Sequence, residues 1–308
     1  VIRQGDRLVS RLVNIDRDLL VIPGVAIHMD RSVNKGAELN PAVDLLPLLG
    51  CGKEPGAFRK LIAEAAGVRE EHLLSTELFL YPRTKAVQTG LNGEFIVSPR
   101  LDDLQCVFGC LEGFLAAKPG GSLPVLAVFN NEEVGSNTRQ GADSTFLTDV
   151  LERIAHGCGL DSEGWKAAVA NSFMVSADNA HAIHPAHPEY ADKGEFPVLG
   201  GGIVIKYNAN QRYTTDAVSG AVFQAICQEA GVPVQRYSNR ADLPGGSTLG
   251  NISTAHLSVP TVDIGLPQLA MHSICETAGA ADTDHLVKAM TAYFSRDFHR
   301  DRDGGIVF

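Results

Sequence analysis

From Phe95 onward the chain alternates apolar, strand-like runs with amphipathic helical stretches, and this alternation constrains the fold more than any other feature. Strand-like runs lie at 95–97, 123–129, 172–177, 202–206, 232–237 and 260–264. Helical periodicity spans 102–117, 143–158, 215–230, 247–256 and 283–299. Strands that alternate with helices predict an α/β fold, with a mainly parallel sheet flanked by helices on both faces. The seven-residue run Leu123–Phe129 is uniformly apolar apart from Pro124, as expected of a strand buried on both sides. In such a sheet, ligand chemistry belongs at the carboxyl ends of the strands.

The first part of the chain reads differently. Short β-type runs at 8–13, 19–22, 24–29 and 76–81 are broken by prolines and turn residues, with one helical stretch at 57–66 ending at Gly67. An Asn92-Gly93 turn signal follows. The expected division is a β-rich domain over 1–96 and an α/β domain over 97–308.

The residues just past the apolar runs carry the chemistry. Asp102 and Asp103 follow the first run, Glu132 and Glu133 the second, Asp178 the third and His272 the last. Each has an ordinary structural explanation. Asp102 could be a helix N-cap, the glutamates a solvated turn, and His272 a surface or core histidine. Taken together on one sheet edge, they form a carboxylate-plus-imidazole set suited to Zn²⁺, Mn²⁺ or Co²⁺. Two metals need a bridging ligand, and a short Asp at a strand–helix junction suits that role.

Composition narrows the function. The formal net charge is −10 and the pI about 5.4, which argues against nucleic acid and against an anionic membrane surface as partner. No segment approaches the about 18 consecutive apolar residues of a membrane span. The six cysteines form no C-x-x-C pair, so the expected setting is a reducing, cytoplasmic one. H-E-x-x-H, P-loop and G-x-G-x-x-G signatures are missing. Gly245–Gly250 comes close to a nucleophile elbow, but Leu249 stands where glycine is needed, leaving a serine hydrolase as a weak alternative. His181, His184 and His187 are spaced as a loop cluster that could line a pocket or hold another metal.

Five ordered motifs carry a resemblance: SPRLDDL (98–104), NNEEVGS (130–136), SADNAHAIHP (176–185), IKYNANQRY (205–213) and PQLAMHSICE (267–276). With these the chain resembles the M18 metallopeptidases, the aspartyl aminopeptidases and their bacterial relatives, over nearly its whole length. The resemblance implies a dinuclear zinc aminopeptidase fold with an inserted β-rich domain, assembled from dimers into a dodecamer. It implies that Asp102 bridges two zinc ions, that Glu133 and His272 complete one site, and that Asp178 binds the other. Glu132 would be the general base, with His181 and Lys206 in the substrate pocket. His28 would reach from the inserted domain into a neighbouring subunit's site. The family's first metal ligand, a histidine in an H-x-D motif, would lie upstream of Val1; His28-Met29-Asp30 has those letters in inserted-domain surroundings. The implied reaction removes an N-terminal, acidic residue from peptides. The alternatives are a metal-depleted, non-catalytic subunit of the same fold or another dinuclear amidohydrolase.

Overall fold

The computed structural model describes residues 1–308 except Lys53 and Pro244. The chain divides into two compact units, Val1–Arg83 and Thr84–Phe308.

In the first unit, β1 (Ile2–Gln4) and β2 (Arg7–Val9) form an antiparallel hairpin in the register Ile2↔Val9. Gly5 supplies the left-handed turn conformation at φ 61°. Helix α1 (Ala57–Ala65) buries Ile62 and Ala63 against Ile2 and Leu73. Beyond the hairpin, the β structure among the described residues of this unit is limited to single bridges, Val21 with Leu48 and Ile2 with Leu73. The runs at 19–22, 24–29 and 76–81 do not become strands. Extended backbone becomes a strand only by pairing, and prolines at 23, 41 and 47 interrupt the segments that could pair.

The second unit begins with β3 (Val87–Thr89) and β4 (Phe95–Ser98), joined through the Asn92-Gly93 turn. There follow α2 (Leu101–Ala116), α3 (Phe146–Gly157), α4 (Ser162–Ala170), β5 (Met174–Ala177), β6 (Ala180–His181) and β7 (Ile203–Tyr207). Next come α5 (Ala217–Glu229), β8 (Val234–Ser238), α6 (Leu249–His256), β9 (Thr261–Gly265) and β10 (Pro267–Leu269). The chain ends with β11 (Glu276–Gly279), α7 (Asp282–Phe294), and the short strands β12 (His299–Arg300) and β13 (Ile306–Val307). Helix α5 starts on a capping box formed by Asp216 and Ser219.

The sheets are mixed rather than mainly parallel. One has the order β5-β9-β7-β8, with β5–β9 and β7–β8 parallel but β7–β9 antiparallel. The other has the order β3-β4-β11-β10-β6 and is antiparallel except for β10–β6. Periodicity identifies strands but not their partners, and the short strands β6, β10 and β11 are too brief to leave a periodic signal. The core lies on β7 and β9, whose Ile203, Ile205, Val262 and Ile264 are buried together with Phe223 and Ile226 of α5 and Leu286 and Met290 of α7. Helices α2 and α7 pack closely through Gly109 and Gly113.

Residues 123–129 are not a strand. Leu123 and Val128 are 66% and 55% exposed, because no neighbouring strand among those described pairs with them. They line a cavity of about 970 Å³ that also receives Asp102, Glu132, Glu133 and Asp178.

Candidate metal centre

The expected ligands converge, although from two sheets and not from one edge. Asp102 and Asp103 sit where β4 hands over to α2, with dihedrals that are not yet helical and a cis peptide bond between them. Glu132 and Glu133 form a single 3-10 turn after the apolar run. Asp178 follows β5 of the first sheet, and His272 follows β10 of the second.

His272 Nε2 lies 3.1 Å from Asp102 Oδ2 and 3.0 Å from Glu133 Oε2. One ring nitrogen facing two carboxylates has no good unaided arrangement. An N–H can be shared only poorly between them, and a lone pair would be repelled by both. A cation between the three resolves this. Donors arranged tetrahedrally at about 2.0–2.1 Å from zinc lie roughly 3.3 Å apart, close to the separations seen. A second trio, Asp102, Asp103 and Asp178, also has its donor atoms within 4.8 Å of one another. Asp102 is the residue common to both trios, the position a bridging ligand must occupy.

The electrostatics ask for positive charge. Burial, reinforced by Asp178 and Glu133, pushes the Asp102 carboxyl up to about 8. Burial and Asp178 also raise Asp103 well above the ordinary carboxylate range. Its Oδ1 is buried without a hydrogen-bond partner. Burial, with Asp178 and Glu133, raises Glu132 as well, opposed by Lys206 and His272. The charge of Lys206 together with two divalent ions would neutralise the five carboxylates Asp102, Asp103, Asp178, Glu132 and Glu133. The donor set therefore fits a pair of metals.

Lys206 is on β7, only 2% exposed. Its Nζ donates to the Asn179 carbonyl at 2.7 Å and lies 3.8 Å from Asp178 Oδ2. Burial works against its charge, but Asp178, Tyr213 and Asp263 outweigh this and hold its pKa above the usual value. Beneath Asp178, Asn179 donates to Gln105 Oε1 at 3.0 Å and to Gln268 Oε1 at 2.8 Å, and it accepts from Cys106 Sγ at 3.1 Å. Buried amides arranged this way fix the loop that carries Asp178.

His181 is on β6, its ring 6.2 Å from that of Tyr237, which is in turn 6.2 Å from Tyr213. The rings of His184 and His187 lie 5.2 Å apart, tilted by 40°, and His187 Nδ1 lies 3.0 Å from Glu189 Oε1; neither joins the trios. His28 lies in an exposed turn of the first unit. Ser247 Oγ donates to Asn251 at 3.2 Å. Asp103 joins the second trio although nothing in the sequence sets it apart from Asp102, because the burial of the second of two adjacent acids shows only in three dimensions.

Comparisons with known proteins agree with this geometry. The family described as "Aminopeptidase I zinc metalloprotease (M18)" matches residues 1–294. A probable M18 family aminopeptidase 2 of Clostridium acetobutylicum is 45% identical over 290 residues, covering 93% of this chain and 67% of the relative. The cryo-EM structure of an Ape4–Nbr1 complex superposes with a TM-score of 0.85 at 33% identity, covering 95% of this chain and 61% of that one. The mApe1 dodecamer of S. cerevisiae gives a TM-score of 0.76 at 25% identity, covering 95% and 66%. The chain thus spans about two thirds of the length of the relatives it matches. The match over nearly the whole chain, together with two donor trios that share Asp102, places this chain in the M18 family of metallopeptidases.

Proposed function

We propose that the chain carries most of the active site of a dinuclear metallo-aminopeptidase that removes an N-terminal acidic residue from peptides. The observation that carries this reading is the sharing of Asp102 by two donor trios. Asp102, Glu133 and His272 hold one ion, and Asp102, Asp103 and Asp178 contribute to the other. When bound, zinc supplies Lewis-acid polarisation of the scissile carbonyl and makes a water more acidic. Glu132, next to both trios but in neither, takes the proton from the water and passes it to the leaving amine.

The preference for acidic residues rests on Lys206, the cation beside Asp178, with His181 on the same side of the site. Its ammonium has donors beyond the one given to Asn179 that a substrate carboxylate could accept from. The mApe1 dodecamer supports self-association, and the exposed turn carrying His28 supports its action in a neighbouring subunit's site. Among the described residues no helix is long and apolar enough to cross a membrane.

The test separates neighbouring acids. Glu132→Gln should lower turnover of aminoacyl chromogenic substrates by about 10²–10⁴ while metal content stays nearly intact. Glu133→Gln should lose metal as well. Equal metal loss in both variants, or turnover untouched by Glu132→Gln, contradicts the assignment.

A further inference from the structure

We infer that Glu276 is a positioning residue that holds two ligands of the metal centre in place; the inference rests on the metal reading given above. Glu276 is the first residue of β11, 2% exposed. Its strand lies between β4 and β10, the two strands from which Asp102 and His272 depart. Glu276 Oε1 accepts the backbone N–H of His272 at 2.7 Å, and Oε2 accepts the backbone N–H of Asp102 at 3.1 Å. One carboxylate thus ties together two ligands that lie 170 residues apart in sequence.

A buried carboxylate needs partners, and here both partners are ligand backbones. His272 sits at φ 67° and Arg100, two residues before Asp102, at φ 61°, left-handed conformations that persist only when the surroundings impose them. Hydrogen bonds to a carboxylate acceptor are the stronger kind, so Glu276 is well placed to impose the first and to fix the outcome of the second. Both oxygens are needed. Glutamine offers one acceptor and turns an NH₂ toward the other amide. Such a change leaves every ligand present but displaces one of them.

The experiment titrates Co²⁺ into the chain, following visible absorption for geometry and calorimetry for affinity. Metal-free melting serves as the control for a merely structural role. Outer partners of metal ligands typically account for 10–100-fold in metal affinity, so Glu276→Gln should weaken Co²⁺ binding by about 10–100-fold and alter the absorption bands. Its effect should shrink in a His272→Ala background, where one of the two tethered ligands is gone. Loss of charge alone would weaken binding with unchanged bands, and that result overturns the inference. So does unchanged affinity, or an equal loss in both backgrounds. If Glu276→Gln does not fold, Glu276→Asp takes its place, keeping the charge but shortening the reach; if neither folds, Glu276 is a folding residue and the inference is wrong. Should the unmodified chain bind no Co²⁺, the metal reading itself fails and this inference with it. Binding by the unmodified chain with no effect of Glu276→Gln defeats the inference alone.

Discussion

Replacing Gly113 with alanine should destabilise the second unit, against the usual rule for helices. Inside a helix, glycine costs about 1 kcal/mol relative to alanine, so the change would ordinarily stabilise. At Gly113, however, an added Cβ would lie 2.5 Å from Met290 Cβ and 3.0 Å from both Met290 C and Thr291 N. Two of those atoms are backbone of α7, which no rotamer change can move. Overpacking of a core costs about 1–3 kcal/mol, and a backbone obstacle belongs at the upper end. Subtracting the propensity gain leaves a net loss of about 2 kcal/mol. The three atoms nearest an added Cβ at Gly109 all belong to the side chain of Leu286, at 2.7–3.2 Å, so Gly109→Ala should cost less. Gly157, the last residue of α3, has nothing within 4 Å of its added Cβ, so Gly157→Ala should be neutral or stabilising by up to about 1 kcal/mol. The single tryptophan, Trp165, lies in α4 and reports on this unit alone in urea denaturation. The expected order of midpoints is Gly157→Ala, then the unmodified chain, then Gly109→Ala, then Gly113→Ala. A Gly113→Ala midpoint at or above that of the unmodified chain would refute the packing argument.

Three further outcomes are expected. A folded-state pKa of about 8 for Asp102, against about 3.9 when unfolded, means the folded state keeps a proton that the unfolded state has lost. Metal-free stability should therefore fall as pH rises from about 4 to 8, by on the order of a few kcal/mol, and zinc should abolish the slope; a flat metal-free melting profile over that range contradicts the assignment. Lys206→Met should cost Asp and Glu substrates about 10–100-fold relative to Leu or Ala substrates, the worth of one charge-assisted hydrogen bond, whereas a uniform loss would make Lys206 purely structural. Mixing His28→Phe with Glu132→Gln subunits under exchange should restore part of the activity if His28 acts across subunits, and continued inactivity despite proven exchange would exclude that.

What the sequence made legible follows from the reach of each signal. Helices α1, α2, α3, α5, α6 and α7 came through because their apolar spacing and end signals are local, as with Gly67 after α1, whereas the short α4 was not foreseen. Sheet pairing did not, because β7 and β9 read as apolar runs whether parallel or antiparallel. The run 123–129 shows the same limit more sharply: its composition matches a buried strand, yet a strand exists only beside a partner. The hairpin β3–β4 joins 84–96 to the second unit through a turn at Asn92-Gly93 that was visible in the sequence, but its destination was not. Ligand candidates were legible because acids directly after apolar runs are chemically conspicuous. Asp103, Asn179 and Glu276 were not, because a buried polar group declares its role only through its partners.

Asp102 joins these observations into one argument about how the centre is built. It is the shared member of both trios, and its carboxylate is nearly buried, at 5% side-chain exposure. Such a group is unfavourable in the metal-free fold, and three separate features hold it there. The Glu276 carboxylate takes its amide. The start of α2 places it just past β4. The glycine-mediated packing of α2 on α7 fixes the helix that follows. Disturbing any one should displace the ligands by more than the fold itself registers, since a metal centre tolerates far less displacement than a hydrophobic core. Gly113→Ala, at the far end of the same helix, is therefore expected to weaken Co²⁺ binding as well as stability. Loss of stability with unchanged affinity would show that the ligand loop is positioned from the sheet side alone, through Glu276.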